Sequence, residues 1–320
     1  MTESILSKEY LHDEAAAYAY VEARIWPKGP VCPHCGGVER NGLMGGKSTR
    51  IGLYKCYDCR KPFTVKIGTI FESSHIPLHI WLQAIYLISS SKKGISSHQL
   101  QRTLGITIKS AWFMAHRIRE AMKAPDGPFS VGNATIEADE TYIGGKEKNK
   151  HASKRNGKNI GGMGKEMVFS LVNREGKVRS MHLPSVNAAN LKPVLEAQLN
   201  TKKTRLMTDG EGQYRILAPM FASHETVNHG AGEYVRGDVY TNTVEGFFSI
   251  FKRGVYGVFH HVSAQHLQRY CAEFDFRYNH MEKKIKIDGA WMKTGFSDSE
   301  RADQLLLGVK GRRLTYKTVN

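Results

Sequence analysis

The chain has 320 residues, enough for two domains or for one domain with appendages. It is 41% hydrophobic and 10% aromatic, which excludes a disordered polymer, and its 46 Lys and Arg against 30 Asp and Glu give a net charge of +16. That excess points to a polyanionic partner, although a merely soluble basic protein would share it. The opening residues are polar and mixed in charge, so no signal peptide is expected. The most apolar helix, near Trp81 to Ser90, is too short and polar to span a bilayer. The expected compartment is the cytoplasm, where disulfides are rare, so the five cysteines need another explanation.

Residues 13–25, rich in Ala, Glu and Tyr, predict a helix that ends at Trp26-Pro27. Cys32, Cys35, Cys56 and Cys59 then form C-x₂-C-x₂₀-C-x₂-C, the spacing of a four-thiolate zinc site. Zn²⁺ favours tetrahedral thiolates, and each C-x₂-C pair offers two sulfurs to one ion, so a structural zinc ribbon is expected, with His34 unneeded. Cys271 stands alone in a helical pattern and reads as a small core residue. From Pro77 a helix carries Trp81, Ala84, Ile85 and Ile88 on one face and breaks at Gly94. A short helix with Leu100 and Leu104, a turn at Gly105 and a longer helix capped by Thr107 make a helix-turn-helix pattern. The second helix is expected to expose Lys109, Ser110, His116, Arg117 and Arg119, which suit phosphates and base edges, or else to be an ordinary hairpin with a solvated basic face. Residues 123–128, with two prolines and a glycine, mark a boundary.

Beyond it, residues 134–143 form an apolar run carrying Asp139. The loop 144–164 has six glycines, six Lys or Arg and one acid. Its Lys146, Lys148, Lys150, Lys154, Arg155 and Lys158 favour a DNA backbone, or the loop is simply unpartnered. Residues 167–172 and 177–183 predict a hairpin, 188–199 a helix, and 204–210 a buried strand ending in Asp209. Between 242 and 253, Val244, Phe247, Phe248 and Phe251 recur at helical spacing, while Asn242, Glu245, Ser249 and Lys252 form a polar stripe. The expected boundaries are 1–70 for the N-terminal helix and ribbon, 71–124 for the helix-turn-helix, 130–282 for a catalytic domain, and 283–320 for a tail with a helix over 301–307.

Two aspartates on strands and a glutamate on a later helix, with 35 residues between the last two, resemble the acidic triad of DDE transposases and retroviral integrases. Mg²⁺ suits such a triad because it takes hard oxygen ligands from a few carboxylates and from substrate phosphates. Further segments are Cys32-Pro33-His34-Cys35-Gly36, Asp139-Glu140-Thr141-Tyr142-Ile143-Gly144-Gly145, Asp209-Gly210, His229-Gly230-Ala231-Gly232-Glu233-Tyr234, Asn242-Thr243-Val244-Glu245-Gly246-Phe247-Phe248-Ser249, Lys252-Arg253-Gly254 and Phe276-Arg277-Tyr278-Asn279. With them the chain resembles, over nearly its whole length, the insertion-sequence transposases of the fifteen-ninety-five family.

The resemblance implies an α/β, ribonuclease-H-like mixed sheet with flanking helices, preceded by the zinc ribbon and helix-turn-helix. It implies that Asp139, Asp209 and Glu245 bind catalytic Mg²⁺ or Mn²⁺, with Asn242 as rival third residue, and that zinc is structural. Glu140 should point away from the site if its segment is a strand. Lys252 and Arg253 would hold DNA near the metals, or Lys252 is an ordinary surface lysine, and His229, His260 and His261 would orient phosphates or water or be purely structural. The implied activity is two-metal hydrolysis at the element's end, followed by attack of the freed 3′-OH on target DNA. The implied partners are double-stranded terminal repeats and target DNA, with no membrane, bound by a homodimer or higher oligomer in the nucleoid of a prokaryote. Rival readings are a transposase-derived DNA-binding protein, a metal-dependent nuclease of the same fold, and a zinc-ribbon transcription factor. The last would leave the pattern after Ala134 without a purpose.

Overall fold

The structure is a computed structural model that describes residues 4–145, 151, 153, 164–210, 212–287 and 290–315, with the backbone alone for 283–293. It divides into two compact units, Met1–Lys123 with His280–Asn320, and Ala124–Asn279. The basic loop residues Lys146, Lys148, Lys150, Lys154, Arg155 and Lys158 lie outside the described residues.

In the first unit, helix α1 spans Glu14–Ile25, and the Asp13 side chain caps it by accepting from Ala16 N. Strands β1 (Asn41–Leu43), β2 (Tyr54–Cys56) and β3 (Pro62–Phe63) form a small antiparallel ribbon. Helix α2 (Leu78–Ser90) buries Trp81, Ala84, Ile85 and Ile88, the face expected from their spacing. Two helices follow, α3 (Ser97–Leu104) capped by Ser96 and α4 (Ile108–Ala121) capped by Thr107. Gly105, at φ 64°, ends α3 in the left-handed conformation that glycine adopts without strain.

The expected basic face of α4 is corrected by burial. Lys109 is exposed and Ser110 partly so, but His116, Arg117 and Arg119 are all buried. The Arg117 guanidinium donates to the carbonyls of Glu72 at 2.8 Å and Leu314 at 3.1 Å. The segment after Lys66 and the chain's C-terminal stretch therefore cover the surface that periodicity alone would leave to solvent.

The second unit is a five-stranded sheet in the order β6-β5-β4-β7-β8. Its strands are β4 (Ala134–Ile143), β5 (Glu166–Asn173), β6 (Val178–Leu183), β7 (Thr204–Asp209) and β8 (Ser223–Val227). The first three form an antiparallel meander, and β7 and β8 run parallel to β4, an order made possible by α5 (Ala188–Gln198) and α6 (Gly212–Leu217) as crossovers. This is the ribonuclease-H-like arrangement. After β8 come the short pair β9 (Val235–Arg236) and β10 (Val239–Tyr240), then α7 (Asn242–Gly254) and α8 (Ala264–His280).

Alternation along the strands sorts residues onto two cores. One face packs Ile136, Ala138, Phe169 and Leu171 with Leu191, Leu195, Tyr214 and Leu217 of α5 and α6. The other packs Ile143, Val168, Val172 and Val178 with Val244, Phe247 and Phe251 of α7 and Leu267, Cys271 and Phe274 of α8. Each such aromatic or aliphatic side chain contributes about 1.5–3 kcal/mol on burial, so α7 is held by its apolar stripe. Cys271 is a core residue here, as its helical context suggested.

Helix α8 also covers the outer edge of β6. Gln268, Asp275 and Asn279 share one stripe of the helix, and their side chains bond the backbone of Val178, Ser180 and His182. Gln268 accepts from His182 N and donates to Ser180 O, Asp275 accepts from Ser180 N and its hydroxyl, and Asn279 bonds both N and O of Val178, all within 2.7–3.1 Å. Polar side chains thus replace the ladder a sixth strand would supply.

The C-terminal segment returns to the first unit. It forms a hairpin of β11 (Lys283–Ile287) and β12 (Ala290–Thr294), then α9 (Asp298–Leu307), which packs on α1 and α2. Arg24 makes a two-pronged bond to Asp303 at 2.6 and 2.9 Å, and Arg301 donates to Ser89 O at 2.9 Å. Gly308 sits so close to α4 that an added Cβ would lie 2.4 Å from Ala121 O, which makes this position intolerant of a side chain.

Candidate active site and metal centre

The four cysteines are brought together as their spacing predicts. All four sulfurs lie within 4.8 Å of one another, with Cys32–Cys59 at 3.7 Å and Cys35–Cys56 at 3.6 Å. A Zn–S bond of about 2.3 Å sets tetrahedral sulfurs about 3.8 Å apart, so the cage fits zinc in size and in softness of donors. Backbone N–H groups of Cys59 and Asp58 aimed at Cys56 lower its pKa, while that of Cys35, against a backbone bond at Gly37, is raised by burial and the neighbouring sulfurs. Each knuckle closes on a left-handed residue, Gly36 at φ 78° in the first and Arg60 at φ 61° in the second. His34 is exposed and turned toward the carbonyl of Pro62, outside the cluster.

In the second unit, strand alternation directs Asp139 to the α7–α8 face, in register with Ser170 of β5. Strand β7 is parallel to β4 with Glu137 opposite Met207, and two residues further along each strand come Asp139 and Asp209. Glu245 lies in the first turn of α7. The Asp139 carboxyl is pushed up to about 8, first by burial and then by the negative charges of Glu140, Asp209 and Glu245, against a bond of 2.7 Å from the Glu140 backbone N–H. Three acids from three elements therefore share one field, though less tightly than the sulfurs: among the described residues the cysteines are the group of ligands within 4.8 Å. The donors are all carboxylate oxygens, the set that hard divalent cations take.

The side chains around this cluster are specific. Glu140 lies on the opposite face, as alternation requires, and accepts from Tyr214 Oη at 2.6 Å and Gln213 Nε2 at 3.3 Å. Asn242 is the exposed first residue of α7, one turn before Glu245. Lys252 and Arg253 are exposed in the last turn of that helix. His229 meets Glu245, with Nδ1 3.0 Å from Oε1, while its Nε2 lies 3.3 Å from the Thr241 hydroxyl. His260 instead sits at φ 59° with Nδ1 3.1 Å from Tyr256 O.

Sequence reasoning missed Glu137. Its side chain is fully buried and accepts from the backbone N–H of Thr243 and Val244, from the Thr243 hydroxyl and from Arg174. A signal was present: period-two alternation places Glu137 beside Asp139 on the same face, inside an otherwise apolar run.

Two spans of the chain match families of known proteins. Residues 132–279 match the ISXO2-like transposase domain, and residues 12–62 match the transposase zinc-ribbon domain. An uncharacterised protein in transposable element ISH50 of Halobacterium salinarum (strain NRC-1) is 29% identical over 282 residues, a span covering 84% of this chain and 92% of that protein. No helix among the described residues is long and apolar enough to cross a membrane. Ribbon and sheet order agree with these matches: both matched spans are domains of the insertion-sequence transposases of the fifteen-ninety-five family.

Proposed function

We propose that this chain binds the ends of its insertion sequence and catalyses cleavage of a DNA strand there and its transfer to target DNA. The observation that carries the reading is the convergence of Asp139, Asp209 and Glu245, close enough that the latter two raise the proton affinity of the first. Carboxylates in one field repel one another and gain by sharing a hard cation. Divalent Mg²⁺ or Mn²⁺ held by these three side chains would polarise the scissile phosphodiester and stabilise the attacking and leaving oxygens of an in-line displacement.

The remaining work falls to the chain's own groups. His229 engages one oxygen of Glu245 and would leave the other for a cation. Tyr214 and Gln213 hold Glu140 on the far face of the sheet, so it does not compete as a ligand. Lys252 and Arg253, exposed on the same helix as Glu245, would clamp the phosphate backbone entering the site. Lys109 and Ser110, in the first turn of α4, and the ribbon are the elements for reading the end. Water serves as the first nucleophile and the liberated 3′-OH as the second, so no covalent bond to the protein is required. An element has two ends, so at least two copies act together.

The test is cleavage and joining of a labelled duplex carrying the element's own end, with Mg²⁺, comparing the native chain with Asp209→Ala, Glu245→Ala and Asn242→Ala. Nicking and joining by the native chain, lost in the first two variants while DNA binding persists, supports the reading. Cleavage without joining would make the chain a nuclease, and binding alone a DNA-binding module. Activity that survives Glu245→Ala but not Asn242→Ala would move the third ligand to Asn242.

A further inference from the structure

We propose that Glu137 is a positioning residue that sets the separation of Asp139 and Glu245 by clasping the N-terminus of α7 to β4; the proposal rests on the metal-binding role given to those two residues above. The first N–H groups of any helix have no partner within it, and a local Ser, Thr, Asp or Asn side chain usually serves them. In α7 the residue at that position, Thr241, makes no such bond. Glu137 serves instead, accepting from Thr243 N at 3.0 Å, Val244 N at 3.1 Å and Thr243 Oγ1 at 2.8 Å.

All of these partners are donors, and so is the fourth, Arg174 Nη1 at 2.5 Å. The side chain is therefore used as an acceptor throughout, which is the hydrogen-bonding pattern of a carboxylate. Arg174 is held in turn: its guanidinium lies 3.7 Å from the centre of the Tyr240 ring and donates to Asp238 O at 2.9 Å. The clasp thus joins β4, the β5–β6 turn, the segment before α7 and α7 itself.

Its place along the chain gives it a role in the site. Glu137 is two residues before Asp139 on the same face of β4, and Val244 is the residue before Glu245. A bonded path between the two candidate ligands therefore runs through this one carboxylate. Burying a charged pair is a weak source of net stability compared with an apolar pair of the same size. Fixing a helix terminus beside a metal cluster is a use for which geometry matters more than stability.

The test uses the full-length protein and Mn²⁺ without DNA, following free Mn²⁺ by its electron paramagnetic resonance signal. Glu137→Gln keeps the shape but removes the charge. Leu195→Ala, in the core on the opposite face of the sheet, is the control for destabilisation alone. The proposal expects Glu137→Gln to weaken Mn²⁺ binding by about 10- to 100-fold, the usual loss when a group supporting a metal ligand is removed. Leu195→Ala should lower the melting temperature without that loss. Thr243→Val, which deletes one bond to Glu137 and leaves the backbone cap, should shift binding in the same direction by less, and it decides the matter if Glu137→Gln does not fold. Unchanged Mn²⁺ binding in folded Glu137→Gln, or in Thr243→Val if that variant must decide, overturns the proposal, as does an equal loss in Leu195→Ala. A native chain that binds no Mn²⁺ at the carboxylates overturns the underlying functional reading together with this one.

Discussion

The two candidate metal centres differ in how complete they are before any ion arrives. In the ribbon, four sulfurs already stand at the separations of a tetrahedron. In the sheet unit, three carboxylates share a field, one is driven toward its protonated form, and the oxygens stay apart. A closed cage of four soft ligands is the design of a structural site, and an incomplete set of hard ligands that leaves room for substrate phosphates is the design of a catalytic one. On the proposed reading, the first centre would hold its module together and the second is one that the metal-free fold keeps slightly unfavourable.

The largest expected effect would come from breaking the first centre. Cys56→Ser, or removal of zinc by a chelator, should unfold the ribbon, since such ions contribute on the order of 10 kcal/mol to small zinc modules. Zinc content and proteolysis within residues 30–65 would report it, with the cooperative unfolding of the sheet unit unchanged. If the ribbon stays protected, the cage is not a structural site.

At the second centre, substituting the supporting residue and substituting a candidate ligand should act in opposite senses. Glu137→Ala removes the cap of α7 and the carboxylate partner of Arg174, and should cost the sheet unit about 3 kcal/mol in urea unfolding. Asp209→Asn removes a negative charge facing Asp139 and should leave the metal-free unit as stable as before or more so, while abolishing cleavage. A clear loss of stability would mean Asp209 holds the fold rather than a metal.

The pH dependence sharpens the contrast further. In the folded chain Asp139 holds its proton up to about 8, against an ordinary value of 3.8. Between those values the folded state binds more protons than the unfolded one, so this group's contribution is full below about pH 4 and is lost as pH rises through about 8. Melting of the metal-free sheet unit should therefore fall across that window, and saturating Mg²⁺ should flatten the slope. The smallest effect expected is in the second knuckle, where Arg60→Gly relieves a left-handed backbone that Gly36 takes freely in the first, a gain of about 1 kcal/mol in the zinc-loaded ribbon.

The contrast also explains what could be read from the chain alone. The cysteine ladder is local, so its spacing determined its geometry. The elements and the face of each strand that carries a given residue followed from hydrophobic period, while the sheet's fold and the triad of Asp139, Asp209 and Glu245 came with the family resemblance. Period does not record what covers a face. Lys109 and Arg117 lie close together on α4, yet one is exposed and the other is sealed beneath the carbonyls of Glu72 and Leu314, the latter nearly two hundred positions away. Asp303 gives no sign in sequence that it will grip Arg24. Glu137 was hidden for a related reason: a glutamate in an apolar strand looks like an exception until its partners, Thr243, Val244 and Arg174, are brought in from distant segments.

The stripe of Gln268, Asp275 and Asn279 along β6 has a consequence for assembly. Unpaired strand margins are where one polypeptide recruits another, whether into an ordered pair or into a precipitate. Here that margin is already spoken for by side chains of α8, and the outward-facing backbone groups of Val178, Ser180 and His182 have bonds to lose if a foreign strand intrudes. Any assembly of copies of this chain would have to use a surface other than this margin, and the newly made chain is spared one route to clumping.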